Sequence, residues 1–440
     1  MKYLKDEILK PLGKIHGGVR LPHHKESAEV QTETIPTPNT VCIPLKQNIG
    51  DVCEPLCAVG DKVKIGTKIG DGEKPLCVPV HSSISGTVTE IAEVDGIKCV
   101  VIESDGKDEA ETFTPKTVKT AQDLIDAARE CGLVGLGGAG FPTHIKLKGA
   151  VSDTVDTVII NGAECEPYIT SDYRTCIEQC DDITSGIYRL KDLLGFKNCI
   201  IAIEKNKPAA IEKLYAAATD KKDTDNSVRV IRLDTAYPQG AEKMLIYTAT
   251  RRKLSLGKLP SDVGCLIMNI SSLAELERYI RTGKPLTHRR ITVDGNALPT
   301  PKNLYVPLGI SIANVLEYCG ADTENTDKIL CGGPMMGVAV KDAATVITKQ
   351  NNALLAFKDL PEIQTTPCIR CGKCASVCPM RLCPAEVDRA LNFKRNDLLE
   401  GQNINYCIEC GSCSYVCPAG RPLTQDMRLA KSILRGQKNV

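Results

Sequence analysis

Eight of the 22 cysteines stand near the C-terminal end in two blocks of identical spacing. Cys368-Ile-Arg-Cys371-Gly-Lys-Cys374-Ala-Ser-Val-Cys378-Pro379 and Cys407-Ile-Glu-Cys410-Gly-Ser-Cys413-Ser-Tyr-Val-Cys417-Pro418 both read C-x2-C-x2-C-x3-C-P. Thiolates so spaced hold iron–sulfur cubanes, three close cysteines taking three corners of a cube. The fourth, followed at once by a Pro, lies too far along the chain to close the same cube, so it reaches the other one. The spacing therefore gives cluster one to Cys368, Cys371, Cys374 and Cys417, and cluster two to Cys378, Cys407, Cys410 and Cys413. Zinc sites usually show paired C-x2-C knuckles without a third and fourth cysteine at these offsets. Gly372 and Gly411 let the backbone bend and aim N–H groups at sulfur. Cys383, just past the first block, reads as a spare thiol, with a backup ligand as the alternative. The remaining 13 cysteines, from Cys42 to Cys331, have no ligand spacing and read as small buried hydrophobes. Thiolate clusters do not coexist with extracellular disulfides in one chain, so the protein is expected to face the cytosol.

Two further constellations could do chemistry. Gly135-Leu136-Gly137-Gly138-Ala139-Gly140-Phe141-Pro142-Thr143 places four glycines in six residues. It contains a formal G-x-G-x-x-G, but a dinucleotide fingerprint needs a strand before it, and here a helical segment precedes. Such a loop still offers exposed N–H groups to a phosphate, with Lys146 placed to add a charge; the alternative is a tight structural turn. The second is Asn161-Gly162-Ala163-Glu164-Cys165-Glu166-Pro167, at the end of an expected strand. Ligands of open α/β sheets bind at carboxyl ends of strands, and an amide with two carboxylates can receive ring N–H groups and hydroxyls. Solvated loop acids are the other reading.

The elements that must carry these residues follow from length and pattern. The chain has 440 residues, enough for about three domains at roughly 150 residues each. Net charge is +1 and aromatics are 4% with no Trp, so nothing points to nucleic acid. No apolar run reaches about 18 residues, and no transmembrane segment is expected. The N-terminus lacks the apolar stretch of a secretory signal. Residues 1–115, with recurrent Gly and Pro between short alternations such as Thr87–Ile91, predict a small barrel or sandwich. VGDKVKIGTKIG and VHSSISGTV there resemble the hammerhead of lipoyl and biotinyl carrier domains, but Lys74 is not in the carrier turn, which leaves a scaffold. Residues 116–265 alternate helices and strands and predict an α/β layer on a mainly parallel sheet. Its parts are a helix at 121–131 capped by Thr120 and Asp123, strands at 155–160, 199–203 and 228–233, and a helix at 208–218. Residues 266–350 return to short strands, with a helix at 311–319. Residues 360–425 form the cluster domain, with a helix at 385–399 between the blocks. Residues 426–440 are a basic tail, read as a solvated end or a docking helix.

Taken together, GLGGAGFPTHIK and NGAECEP resemble the flavin site of the NADH-binding subunit of respiratory complex I. The order of parts is similar to that of the RnfC family, the C-subunit of the Rnf complex, a ferredoxin:NAD oxidoreductase. His16-Gly17-Gly18-Val19 to His24-Lys25, the barrel, the flavin domain, a β-grasp (SLBB-like) segment with ITVDGNALPTPKNLYVPLG, the CGGPMMG stretch (331–337) and the duplicated cluster block follow in that family's order. The resemblance covers nearly the whole chain. It implies FMN, NAD(H) and two [4Fe-4S] clusters as cofactors. Gly135, Gly137, Gly138 and Lys146 match flavin phosphate contacts. Asn161 and Glu164 match contacts to the flavin ring and ribitol. Phe141 and Glu166 match positions that stack on and hydrogen-bond the nicotinamide nucleotide. Tyr237 to Glu242, and Asn269, match a further rim. Complex I has an Arg where this chain has Leu136, which implies fewer cationic contacts to the phosphate.

The activity implied is a two-to-one electron converter, with hydride transfer mediated by flavin and no separate catalytic residue. The chain would be a peripheral subunit on the cytoplasmic face of the membrane, docked on the other subunits of an ion-translocating complex, one of them an iron–sulfur subunit. The rival readings are a soluble RnfC-like donor to a cobalamin or amino-acid reductase, and a non-enzymatic electron relay.

Overall fold

The computed structural model describes residues 8–220 and 228–437. After a short strand β1 (Thr32–Thr34), seven strands build the barrel-sandwich: β2 (Thr40–Pro44), β3 (Glu54–Pro55), β4 (Lys62–Val63), β5 (Lys68–Asp71), β6 (Val80–His81), β7 (Gly86–Val94) and β8 (Ile97–Ser104). They form a four-stranded sheet, β2-β8-β7-β4, and a three-stranded one, β3-β5-β6. Alternation buries Val41, Ile43, Val88, Val100 and Ile102 between them. The β7–β8 hairpin turns on Asp95-Gly96, both at positive φ, the two-residue turn that matches strand twist. Lys74 is exposed and pairs with Asp51.

The α/β layer comprises α1 (Ala121–Glu130), α2 (Thr143–Ala150), β9 (Thr157–Gly162), α3 (Ser171–Glu178), α4 (Cys180–Leu194), β10 (Asn198–Glu204), α5 (Pro208–Asp220), β11 (Val228–Leu233), α6 (Glu242–Thr250), β12 (Cys265–Asn269) and α7 (Ile270–Thr282). Thr120 and Asp123 close the expected capping box on α1. The sheet, β11-β10-β9-β12, is wholly parallel. Strand β9 starts two residues later than expected and carries Asn161 and Gly162 within it. The layer also runs past residue 265: the apolar strand β12 pairs with β9, and the Asn269 side chain caps α7, so the unit closes only at the end of that helix.

The next sheet uses β13 (His288–Asp294), β14 (Lys302–Pro307), α8 (Ile312–Tyr318), β15 (Lys328–Cys331), β16 (Val338–Ala339) and β17 (Ala353–Phe357). Its order is β1-β14-β13-β17-β15-β16, so the early strand β1 supplies one edge. Residues 8–34 thus do not join the barrel, as the 1–115 reading expected. They form a strap. Leu9 bridges Ile231, Gly13 N–H donates to the Thr248 carbonyl, Val19 bridges Tyr237, and Gly18 N–H donates to the Val377 carbonyl.

The C-terminal domain holds α9 (Lys373–Ser376), α10 (Pro384–Asn392), α11 (Ser412–Tyr415) and α12 (Leu423–Gln437). The helix expected over 385–399 stops at Asn392, because Lys394 turns to φ +55° and residues 396–406 break into 3-10 turns that reverse the chain. The basic tail is corrected too. Residues 423–437 are helical, with Leu423, Met427, Ala430 and Leu434 buried. Lys431 donates to the Cys407 carbonyl and, with Arg428, pairs with Glu409. The spacing of four, three and four residues is a helical stripe, which the cation count obscured. Residues 438–440 of that tail lie outside the described residues.

Candidate functional site

The strand order makes β9 and β12 the point where the chain reverses its direction of progress across the sheet. Asn161 and Asn269 are register partners at the carboxyl ends of these two strands, where an open α/β sheet offers its crevice. The glycine loop, joining α1 to α2, lies over Asn269: a Cβ on Gly137 would meet the Asn269 amide at 3.1 Å. Gly138 sits at φ +102° with nothing near its Cβ position. Among the described residues, the amides of Gly137, Gly138 and Ala139 have no protein acceptor. Gly135, Lys146 and Asn269 line one narrow pocket with Thr143 and Ser272. The Lys146 ammonium donates to the Ile267 carbonyl at 3.3 Å and lies 3.6 Å from Glu242. Bare amides on an open glycine loop, with a cation on the helix that follows it, suit a phosphate.

The other expected contacts have additional occupations. Asn161 donates to the Gly240 carbonyl and accepts from Ala163 N–H. Asn269 accepts from Ser272 N–H and donates to Asp172. Glu164 is buried and spends its carboxylate on the first turn of α3, accepting from Asp172 N–H at 2.7 Å, Tyr173 N–H at 3.3 Å and the Ser171 hydroxyl. Burial pushes its pKa up to about 7, against the pull of Lys25. The half-buried Lys25 staples the same loop, its ammonium donating to the carbonyls of Glu164 (3.1 Å), Glu166 (2.8 Å) and Ile169. Lys25 belongs to the early motif whose role the spacing alone did not reveal.

Glu166 ties this loop to the CGGPMMG stretch. It accepts from the N–H groups of Met335 (3.0 Å) and Met336 (2.9 Å), and any side chain at Gly333 would collide with it. Burial raises its pKa to about 6, the two amides opposing the rise. The Tyr237 hydroxyl lies 3.4 Å from Glu166 and donates to the Cys410 carbonyl at 2.7 Å. Phe141 lines neither the narrow pocket nor the cavity of about 830 Å³ that Glu166 and Tyr237 share beneath the strap.

The cysteines fall into two sets. Cys368, Cys371, Cys374 and Cys417 surround one cavity; Cys378, Cys407, Cys410 and Cys413 surround another. Each set takes three thiols from one block and one from the other. Gly372 and Gly411, at φ +75° and +80°, make equivalent bends. Among the described residues, no three His, Cys, Asp or Glu side chains close on a point as ligands of one ion would. The all-sulfur donor sets instead face cavities, which suits a cubane. Burial pushes the Cys413 thiol up to about 11 and raises Cys407 and Cys410, so ionisation there needs a bound metal. Cys383 is exposed and lines neither cavity. The sets differ in exposure: Cys368 and Cys371 are exposed, whereas Cys410 lies against Tyr237 and Met335.

Comparison with known proteins follows the same division. Residues 13–107 match the RnfC barrel sandwich hybrid domain, 128–278 the Nuo51 FMN-binding domain, 290–339 the SLBB domain and 364–421 the 4Fe-4S dicluster domain. The C-subunit of the Na(+)-translocating ferredoxin:NAD(+) oxidoreductase complex of Acetobacterium woodii is 38% identical over 441 residues, spanning 97% of this chain and 98% of that protein. The C-subunit of the proton-translocating ferredoxin:NAD(+) oxidoreductase complex of Clostridium ljungdahlii is 37% identical over 386 residues, spanning 85% and 83%. The crystal structure of an NAD+-reducing [NiFe]-hydrogenase in the H2-reduced state shares the fold at a TM-score of 0.52 and 15% identity, over 70% of this chain and 61% of that one. No helix among the described residues is long and apolar enough to cross a membrane.

Proposed function

We propose, since this chain belongs to the C-subunit family of the ion-translocating ferredoxin:NAD(+) oxidoreductase (Rnf) complexes, that it is the subunit that exchanges electrons between NAD(H), FMN and two [4Fe-4S] clusters. FMN supplies the switch between two-electron hydride exchange and one-electron transfer, and the cubanes carry single electrons. The protein's part is to hold these groups in order. The glycine loop and Lys146 bind the flavin phosphate; Asn161, Asn269, Glu164 and Glu242 shape the crevice for the rest of the flavin. Positioning is the whole of the contribution, because hydride exchange needs no separate acid or base from the chain.

One observation carries the order of transfer: the hydroxyl of Tyr237, at the strand-end loops, donates to the carbonyl of Cys410 at 2.7 Å. Cluster two is thus the flavin-side cluster. Cluster one, with Cys368 and Cys371 exposed, faces a partner. That partner is an iron–sulfur subunit of the membrane complex, and this chain sits on the cytoplasmic face as a peripheral subunit.

Anaerobic purification of the full chain should return about eight iron and eight sulfide with one FMN, and should oxidise NADH with an artificial acceptor. Iron without flavin, and no NADH oxidation, would favour a bare electron relay. Failure to co-purify with membrane subunits would favour a soluble donor.

A further inference from the structure

The backbone of Leu136 is gripped from two sides. Its N–H donates to the Ser272 hydroxyl at 2.9 Å. Its carbonyl accepts from the guanidinium of Arg289, which reaches in from β13 and also donates to the Asn351 carbonyl at 3.0 Å. Arg289 is 3% exposed. Among the described residues it has no carboxylate within ion-pair distance, and nearby Asp172 spends its oxygens on Ser271 and Asn269. Burial lowers the guanidinium pKa to about 10, which leaves it charged at neutral pH.

A trans peptide points its carbonyl and the following N–H in opposite directions. By holding the Leu136 carbonyl, Arg289 turns the Gly137 N–H the opposite way, away from the guanidinium, and among the described residues that N–H has no protein acceptor. The cation behind the peptide also makes the loop's field more favourable to an anion. The Leu136 side chain, 2% exposed, faces the interior and cannot serve that purpose.

We propose that Arg289 is the positioning residue of the phosphate site at Gly137–Gly138, supplying from the β-grasp sheet the positive charge that position 136 does not carry. This rests on the flavin reading above.

The test is a fluorescence titration of the deflavinated full chain with FMN and with riboflavin, which lacks the phosphate. In R289Q the preference for FMN over riboflavin should fall about tenfold, the size of one charge-assisted hydrogen bond, with riboflavin affinity and iron content unchanged. R289K keeps the charge, but one ammonium cannot hold both the Leu136 and Asn351 carbonyls in the same geometry. It should show an intermediate preference, and it decides the matter if R289Q does not fold. An unchanged preference, or equal weakening of both flavins, would make Arg289 a structural residue only and overturn the proposal. Wild-type protein that binds neither flavin would overturn the flavin reading and this proposal with it.

Discussion

The cluster cavities are lined by residues from a single stretch, 368 to 427. The glycine loop is held from three domains. Ile49 of the barrel donates its N–H to the Gly140 carbonyl, Ser272 takes the Leu136 N–H, Arg289 takes the Leu136 carbonyl, and Gln350 packs where a Gly140 side chain would stand. A site of the first kind is specified by local spacing and defined by its metal. A site of the second kind exists only when those domains have assembled around it. Damage to one should therefore be local and all-or-none, and damage to the other graded and sensitive to distant residues.

The largest expected effect breaks the crossing of the cluster ligands. Cys378→Ala should remove cluster two although it lies in the first block, leaving about half the iron and the EPR signal of cluster one. Loss of the first block's cluster alone would refute the crossed assignment. Next is Leu136→Arg, which restores the residue of the resembling complex I site but buries a charge. It should cost roughly 3 kcal/mol or more without tightening FMN, seen as a lowered Tm; a stable variant that binds FMN more tightly would show that position 136 can face the ligand. Lys146→Ala should weaken FMN about five- to tenfold with iron content unchanged, read by flavin retained on purification. Unchanged flavin would remove Lys146 from the site.

A further effect is one of pH and belongs to the three-domain junction. His81 is buried between Lys349 and Gly132, and burial, helped by the Lys349 charge, holds its pKa down at about 3. The unfolded chain takes up a proton near pH 6.5, so unfolding binds protons below that value. The stability contributed is complete above about pH 6.5 and is lost as pH falls toward 3, by at most about 1.4 kcal/mol per pH unit. His81→Gln should flatten urea-unfolding stability between pH 6.5 and 5 by up to that slope. Parallel slopes would mean His81 is already charged in the fold.

The same contrast explains what the sequence disclosed. The two cysteine blocks, the bends at Gly372 and Gly411, and the Thr120 cap are each written within a few residues, and they could be read there. The domain order and the parallel sheet followed from periodicity. The end of α10 at Asn392 was not legible, because the pattern through Leu399 stays helical and only the need to bring the second block back onto the first breaks it. The basic tail misled because its cations pair with Glu409 and its apolar stripe packs on α10. Glu164 and Glu166 were legible as important acids but not as the ties they are, since their partners, Tyr173 N–H and Met335 N–H, are backbone groups that no side-chain pattern announces. Arg289 gave no signal at all: it is one of two adjacent arginines in a strand, and only the packing of the β-grasp sheet on the loop gives it a role.

The strap has a consequence for how the molecule is made. Gly18 is synthesised long before Val377, whose carbonyl it binds. At roughly 5–20 residues per second the interval is about 20–70 s. Throughout that time the strap has no partner in the C-terminal domain. It can close over Val377 only after the first cysteine block, with Cys378 next to Val377, has been made. The strap can therefore dock on the α/β layer at Ile231, Thr248 and Tyr237 while the C-terminal domain is still being made, and its bond to that domain is the last of these contacts to form.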